Sequence, residues 1–165
     1  MRSRVGAVYY GRARVMRETI IQIISAFVGS LGFAILYNVK KTNLALCMLG
    51  GGLTWIVCLC AKSITADLFV INVIAGAFGA CYSEIMARIR KVPKTIFTLP
   101  SIIPLVPGSG LYYSMIYLFF EKQRDVFETY GKNTFLTVSG IAAGLVLVSV
   151  IFKYVSKLSG KKEKI

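Results

Sequence analysis

Five stretches of the chain contain no charged residue at all, and together they hold 103 of its 165 positions. They run 19–39, 42–61, 68–83, 95–120 and 133–152, so the 20 basic and 7 acidic residues crowd into what remains. A helix rises about 1.5 Å per residue, and a bilayer core requires roughly 20 apolar residues whose backbone groups bond internally. Four stretches have that length. The third, with 16 residues, reaches it only by extending through Glu84 toward Ala87, which puts a carboxylate close to or inside the membrane. The expected fold is an all-α polytopic membrane protein with five transmembrane helices at about 18–38, 43–61, 67–88, 95–120 and 133–156. One five-helix membrane domain, 17–156, lies between a basic extension, 1–16, and a basic tail, 157–165.

A hydrophobic share of 56% fits that reading, and the net charge of +13 then belongs to loops and tails. Tyr9, Tyr10, Arg12 and Arg14 interleave aromatics with arginines as nucleic-acid binders do. The placement of charge nonetheless points to anionic membrane lipid and not to nucleic acid. Histidine is absent, which excludes imidazole ligation and histidine-based catalysis. Cys47, Cys58, Cys60 and Cys81 lie in apolar stretches without zinc-site spacing and are expected as buried free thiols. No metal, cofactor, ATP-binding loop or enzyme chemistry is expected.

Five crossings put the two ends of the chain on opposite sides, with nine lysines and arginines on one side and eleven on the other. Residues 1–15 lack hydrophobic periodicity. With a start at Met16 the tally becomes five against eleven, which places the C-terminus in the cytoplasm.

Small residues recur at helix-packing spacing in Ser25 with Gly29, Gly76 with Ala80, and Gly140 with Gly144. The Gly50-Gly51-Gly52 run implies either a close helix crossing or a local distortion. The fourth stretch is the most informative. Pro100, Pro104 and Pro107 each remove a backbone donor, and Gly108 and Gly110 permit unusual backbone angles, so a continuous helix is not expected. Broken helices persist in membranes where they are buried in protein or line a watery cavity, and their freed groups attract polar solutes. Pro100, Pro104, Pro107, Gly108 and Ser109 are therefore candidate transport-path residues, against the plainer alternative of a kinked structural helix.

Glu84 is the candidate for coupling or gating, with Arg88 four residues on as its ion-pair partner. Asp67 is expected to cap the third helix. Asn72 is a candidate for the path or a packing hydrogen bond. Tyr112, Tyr113 and Tyr117 suit an interfacial belt or a ligand contact.

The segments SLGFAILYNV (30–39), SEIMAR (83–88) and KVPKTIFTLPSIIPLVPGSGLYYSM (91–115) resemble the threonine/serine exporter family, specifically its small membrane subunit. The likeness spans about 17–156 and rests chiefly on IIPLVPG. It implies secondary export of threonine and serine across the bacterial inner membrane, driven by the proton gradient, or in some relatives export of dicarboxylates such as succinate. It also implies a larger companion subunit carrying the other half, or a homo-oligomer. Glu84, Arg88, Pro93, Pro100, Pro104, Pro107 and Gly108 are the matching motif positions. Ser101 stands where relatives often have glycine. Two five-span halves in opposite orientation would form an inverted pair with a site between them.

Overall fold

A computed structural model describes residues 2–119 and 124–162, with side chains for 16–119, 125–155 and 157. Tyr9, Tyr10, Arg12, Arg14 and most of the basic tail lie outside the described side chains. The helices are α1 (Arg2–Leu36), α2 (Lys41–Ile64), α3 (Leu68–Arg90), α4 (Thr95–Ile102), α5 (Gly108–Phe119) and α6 (Arg124–Lys162). A 3-10 turn, Ile103–Leu105, follows α4. Among the described residues there is no strand, and the chain is an all-α polytopic membrane protein.

Among the described residues, four helical segments are long and apolar enough to cross a bilayer: Met16–Leu36, Lys41–Ile64, Leu68–Arg90 and Asp125–Val155. The fifth crossing is the pair Thr95–Leu105 and Gly108–Phe119, bent by 56°. Packing shows that this pair traverses the bundle and does not turn back. Lys94, before α4, reaches Ser149 of α6, whereas Gly110 of α5 abuts Thr134 and Tyr117 stacks on Tyr130. The pair thus runs antiparallel to α6. α3 runs parallel to α6, with Gly140 against Phe69 and Phe152 beside Arg88.

The turns have local causes. Asp67 caps α3 as expected, accepting the Phe69 amide at 2.9 Å. α1 ends where Asn38 adopts a left-handed conformation, and α3 ends where Lys91 does so. Beyond Lys91, the Val92 amide bonds to Ala87 at 3.2 Å, a wrapped C-terminus that aims the chain back along α3. α6 has 39 residues, about 58 Å of helix, and so extends well beyond the span expected at 133–156. Nothing between Arg124 and Asn133 breaks a helix. Likewise α1 continues back to Arg2, so the backbone of 2–15 is helical.

Glycines decide the interhelical distances. Gly140 and Gly144 bring α6 onto the backbone of α3 at Phe69 and Val73, the expected close pair. The Gly50-Gly51-Gly52 run resolves to a close crossing within an unbroken α2: Ser30 packs on Gly51, Phe27 on Gly52 and Tyr82 on Gly50. Ser25 and Gly29 depart from expectation, because Ser25 is exposed and nothing stands within 4 Å of a Cβ built on Gly29. Their pairing does not pack helices within this chain. Cys47 and Cys58 are buried, but Cys60 is exposed on the outer side of α2 and Cys81 is partly exposed, so the expectation of four buried thiols holds for only two. Ile20, Ile21, Ile24 and Val28 of α1 are all more than half exposed, an apolar face suited to lipid.

Candidate functional site

The three prolines of the fourth span leave different carbonyls without helical donors, and each is treated differently. Pro100 sits inside α4 and cannot serve the carbonyl of Ile96. The Cys47 thiol supplies that bond from α2, with Sγ 3.5 Å from the Ile96 oxygen. Pro104 cannot serve the carbonyl of Pro100, and the Ile103 amide is engaged by Leu99. The Pro100 oxygen lies against Gly51, where any Cβ would stand 2.9 Å from it. Pro107 has no donor for the carbonyl of Pro104, and the next amide, Gly108, bonds to Val106 at 2.8 Å. The Pro104 carbonyl is left without either helical donor.

Beyond the break, the Leu111 amide bonds to Pro107 at 3.0 Å and α5 begins. Gly108 and Ser109 are exposed, with open space around Gly108. No described glycine has a positive φ, which corrects the expected reason for glycine here. Gly110 is required for proximity, since a Cβ there would collide with the Thr134 hydroxyl.

A cavity of about 340 Å³ opens beside the break, walled by α1 at Gln22, Ser25 and Gly29, by Trp55 of α2, and by Ile103 and Pro104. The Trp55 indole Nε1 is shielded and has no hydrogen-bond partner. The Lys62 ammonium lies 5.1 Å from the centre of its ring. Pro104 is the one candidate path residue that lines this cavity. Pro100 is buried behind it against α2, and Ser101 is buried with an unpartnered hydroxyl beside Gly50.

Gln22, Ser25 and Trp55 were not legible as cavity residues. The available signal was compositional: a glutamine and the sole tryptophan within otherwise apolar spans.

The remaining candidates lie elsewhere. Asn72 is buried in α3 against Gly140, and its amide donates to the Leu68 carbonyl of its own helix at 2.7 Å. Tyr113, Tyr117 and Tyr130 form a stacked aromatic group between α5 and α6, with Tyr112 edge-on to Tyr113, away from the cavity.

Glu84 does not pair with Arg88. Its Oε1 takes a 2.8 Å bond from Lys94 Nζ, which also reaches Ser149 Oγ at 3.2 Å. The Arg88 guanidinium instead lies 4.9 Å from the centre of the Phe152 ring. The wrapped end of α3 explains the exchange, because it returns Lys94 to the level of Glu84 while α6 offers Arg88 an aromatic face.

Basic side chains are described at both ends of the bundle, those of 1–15 and 120–124 lying outside the described side chains. Lys40, Lys41, Arg88, Arg90, Lys91, Lys94, Lys153 and Lys157 gather at the Glu84 end. Arg17, Lys62 and Lys132 stand at the other, among Glu18, Asp67, Asp125 and Glu128.

A family model described as Threonine/Serine exporter, ThrE matches residues 22–151, which takes in the cavity, the broken span and the Glu84–Lys94 pair. No solved structure matches the chain.

Proposed function

We propose that this chain, which belongs to the threonine/serine exporter family, forms one half of a secondary transporter that exports threonine and serine from the bacterial cytoplasm. The family is one of transporters, and the apolar spans make the chain a membrane protein. The carrying observation is the break at Pro104–Gly108, where a membrane crossing holds a carbonyl without helical donors beside a cavity. Transport needs no covalent chemistry. The proton gradient supplies the energy, and Glu84 with Lys94 acts as the coupling or gating pair, in place of Glu84 with Arg88.

Five crossings of one chain supply only half of an inverted pair, so the working unit includes a larger companion subunit or a second copy. We assign the Glu84 end, which carries eleven of the chain's twenty lysines and arginines, and with it the C-terminus, to the cytoplasmic side of the bacterial inner membrane. Efflux of threonine and of succinate from deletion and complemented strains tests the proposal. Threonine efflux restored by the wild-type chain and lost with Pro107→Ala, Gly108→Leu or Glu84→Gln at normal abundance is the expected result. Undiminished efflux in all three variants would make the chain a scaffold, and restoration of succinate efflux alone would change the substrate.

A further inference from the structure

We infer that the groove along 145–153 of α6 binds an anionic phospholipid, with Lys153 and Ser149 holding its phosphate and Leu145, Val146 and Val150 lying along its acyl chain. The inference goes beyond the transport reading and does not depend on what is carried.

The groove, of about 250 Å³, is lined by Leu145, Val146, Ser149, Val150 and Lys153. These positions fall three and four residues apart, so they form one face of α6, and they extend about 12 Å along it. The face is graded in polarity. Its deep end is aliphatic, Ser149 stands between, and Lys153 directly follows the charge-free run that ends at Phe152. Lys153 therefore sits where hydrocarbon gives way to headgroups. Val146 and Val150 are exposed, so this face of α6 is open to the bilayer.

At the Lys153 end, donors outnumber acceptors. Lys94 Nζ gives one proton to Glu84 Oε1 at 2.8 Å and another to Ser149 Oγ at 3.2 Å. Ser149 accepts that bond, and its own hydroxyl proton has no acceptor among the described residues. Lys153, one turn further along, has no ion-pair or hydrogen-bond partner among them. Glu84 balances the Lys94 ammonium group, and no described carboxylate balances that of Lys153. An anion with several acceptor oxygens fits this surplus of donors.

The same donors suit a free phosphate as well as a lipid headgroup, and the aliphatic floor decides between them. Below Lys153 the groove lies at hydrocarbon depth, where a hydrated anion is costly and an acyl chain makes dispersion contacts along the whole face. At roughly 30 Å³ per water, the groove has room for about eight waters, which is enough for a phosphate and the first carbons of a chain. A choline headgroup would bring a further cation beside Lys153 and Lys94, so the site favours a headgroup with net negative charge.

Native mass spectrometry of the full chain, with any subunit that co-purifies, tests the assignment by titration with phosphatidylglycerol and phosphatidylcholine of matched acyl chains. Phosphatidylglycerol should bind about fivefold more tightly or better. Lys153→Gln removes the charge, and Val150→Trp fills the groove without changing charge; each should raise the phosphatidylglycerol Kd about fivefold with circular dichroism unchanged. Lys40→Gln, the same loss of charge in the turn between α1 and α2, should leave that Kd within about twofold. Phosphatidylglycerol with a photoreactive acyl chain should label 145–150, and excess inorganic phosphate should not displace it. Equal Kd values for the two lipids, an unchanged Kd in either Lys153→Gln or Val150→Trp, or an equal loss in Lys40→Gln would overturn the assignment. So would displacement by inorganic phosphate, which marks a free-anion site, or labelling found only elsewhere in the chain or on a co-purified subunit.

Discussion

Lys94, at the head of α4, is the ion-pair partner of Glu84 in α3, Nζ to Oε1 2.8 Å, although Arg88 lies one helical turn from Glu84. The pair joins the start of the broken span to a helix that Gly140 and Gly144 lock onto α6, and Ser149 of α6 completes the contact. The two partners differ in burial, the Glu84 side chain being 15% exposed and that of Lys94 45%.

That difference predicts an asymmetric mutational response. Lys94→Met strands a mostly buried carboxylate and should cost about 1–2 kcal/mol of stability, whereas Glu84→Gln leaves a cation that reaches water and Ser149 and should cost less than about 1 kcal/mol. The double variant should recover part of the Lys94→Met loss. Unfolding in mixed detergent micelles checks this; equal losses in the two single variants would contradict it.

The α2 crossing makes a second prediction. Gly51→Ala pushes a methyl group into the Ser30 hydroxyl and the Pro100 carbonyl and should destabilise the fold by about 1–3 kcal/mol. Adding Ser30→Gly removes one of the two collisions and should restore part of the loss. No recovery in thermal unfolding of the double variant would mean that Ser30 is not the obstacle.

A third contrast separates glycines of similar appearance. Gly140→Leu and Gly144→Leu meet α3 backbone and should cost roughly 3 kcal/mol or more, or abolish folding. Gly29→Leu meets open space and should change stability by less than about 0.5 kcal/mol while obstructing the cavity. Yield and melting temperature of the three variants decide this, and a Gly29→Leu protein as unstable as the other two would contradict it.

Much of this architecture could be read from residue order. Charge-free runs located the spans, Asp67 announced its cap, Gly140 and Gly144 their close approach, and the three prolines the break, because each acts through its own backbone or its own helix face. Features that depend on two elements meeting could not be read that way. Lys94 displaces Arg88 only because Lys91 turns left-handed and reverses the chain. Gly50 to Gly52 marked either a crossing or a distortion until Ser30, Phe27 and Tyr82 were seen against them. Trp55 and Gln22 belong to helices whose register is set by that crossing, so nothing in either helix alone brings them to Pro104. The extent of α6 was hidden because Asp125, Glu128 and Lys132 end the charge-free run, yet none of them stops a helix already held by α5.

Arg88 makes a fourth prediction. Its guanidinium over Phe152 should contribute about 0.5–1 kcal/mol, so Arg88→Gln and Phe152→Leu should each lose that amount and the double variant should lose little more. Additive losses in the double-variant cycle would show that the two side chains act separately.

The central claim is that the fourth span is open to water at its break. Cysteine substitution along 95–119, in a chain whose four native cysteines are replaced, tests it most directly; Cys47→Ser retains the donor to Ile96. A charged, membrane-impermeant thiol reagent should label Ile103, Pro104, Gly108 and Ser109 positions, and L-threonine should protect 103 and 104. Labelling confined to the ends of the span, with 103–109 silent throughout, would contradict the account.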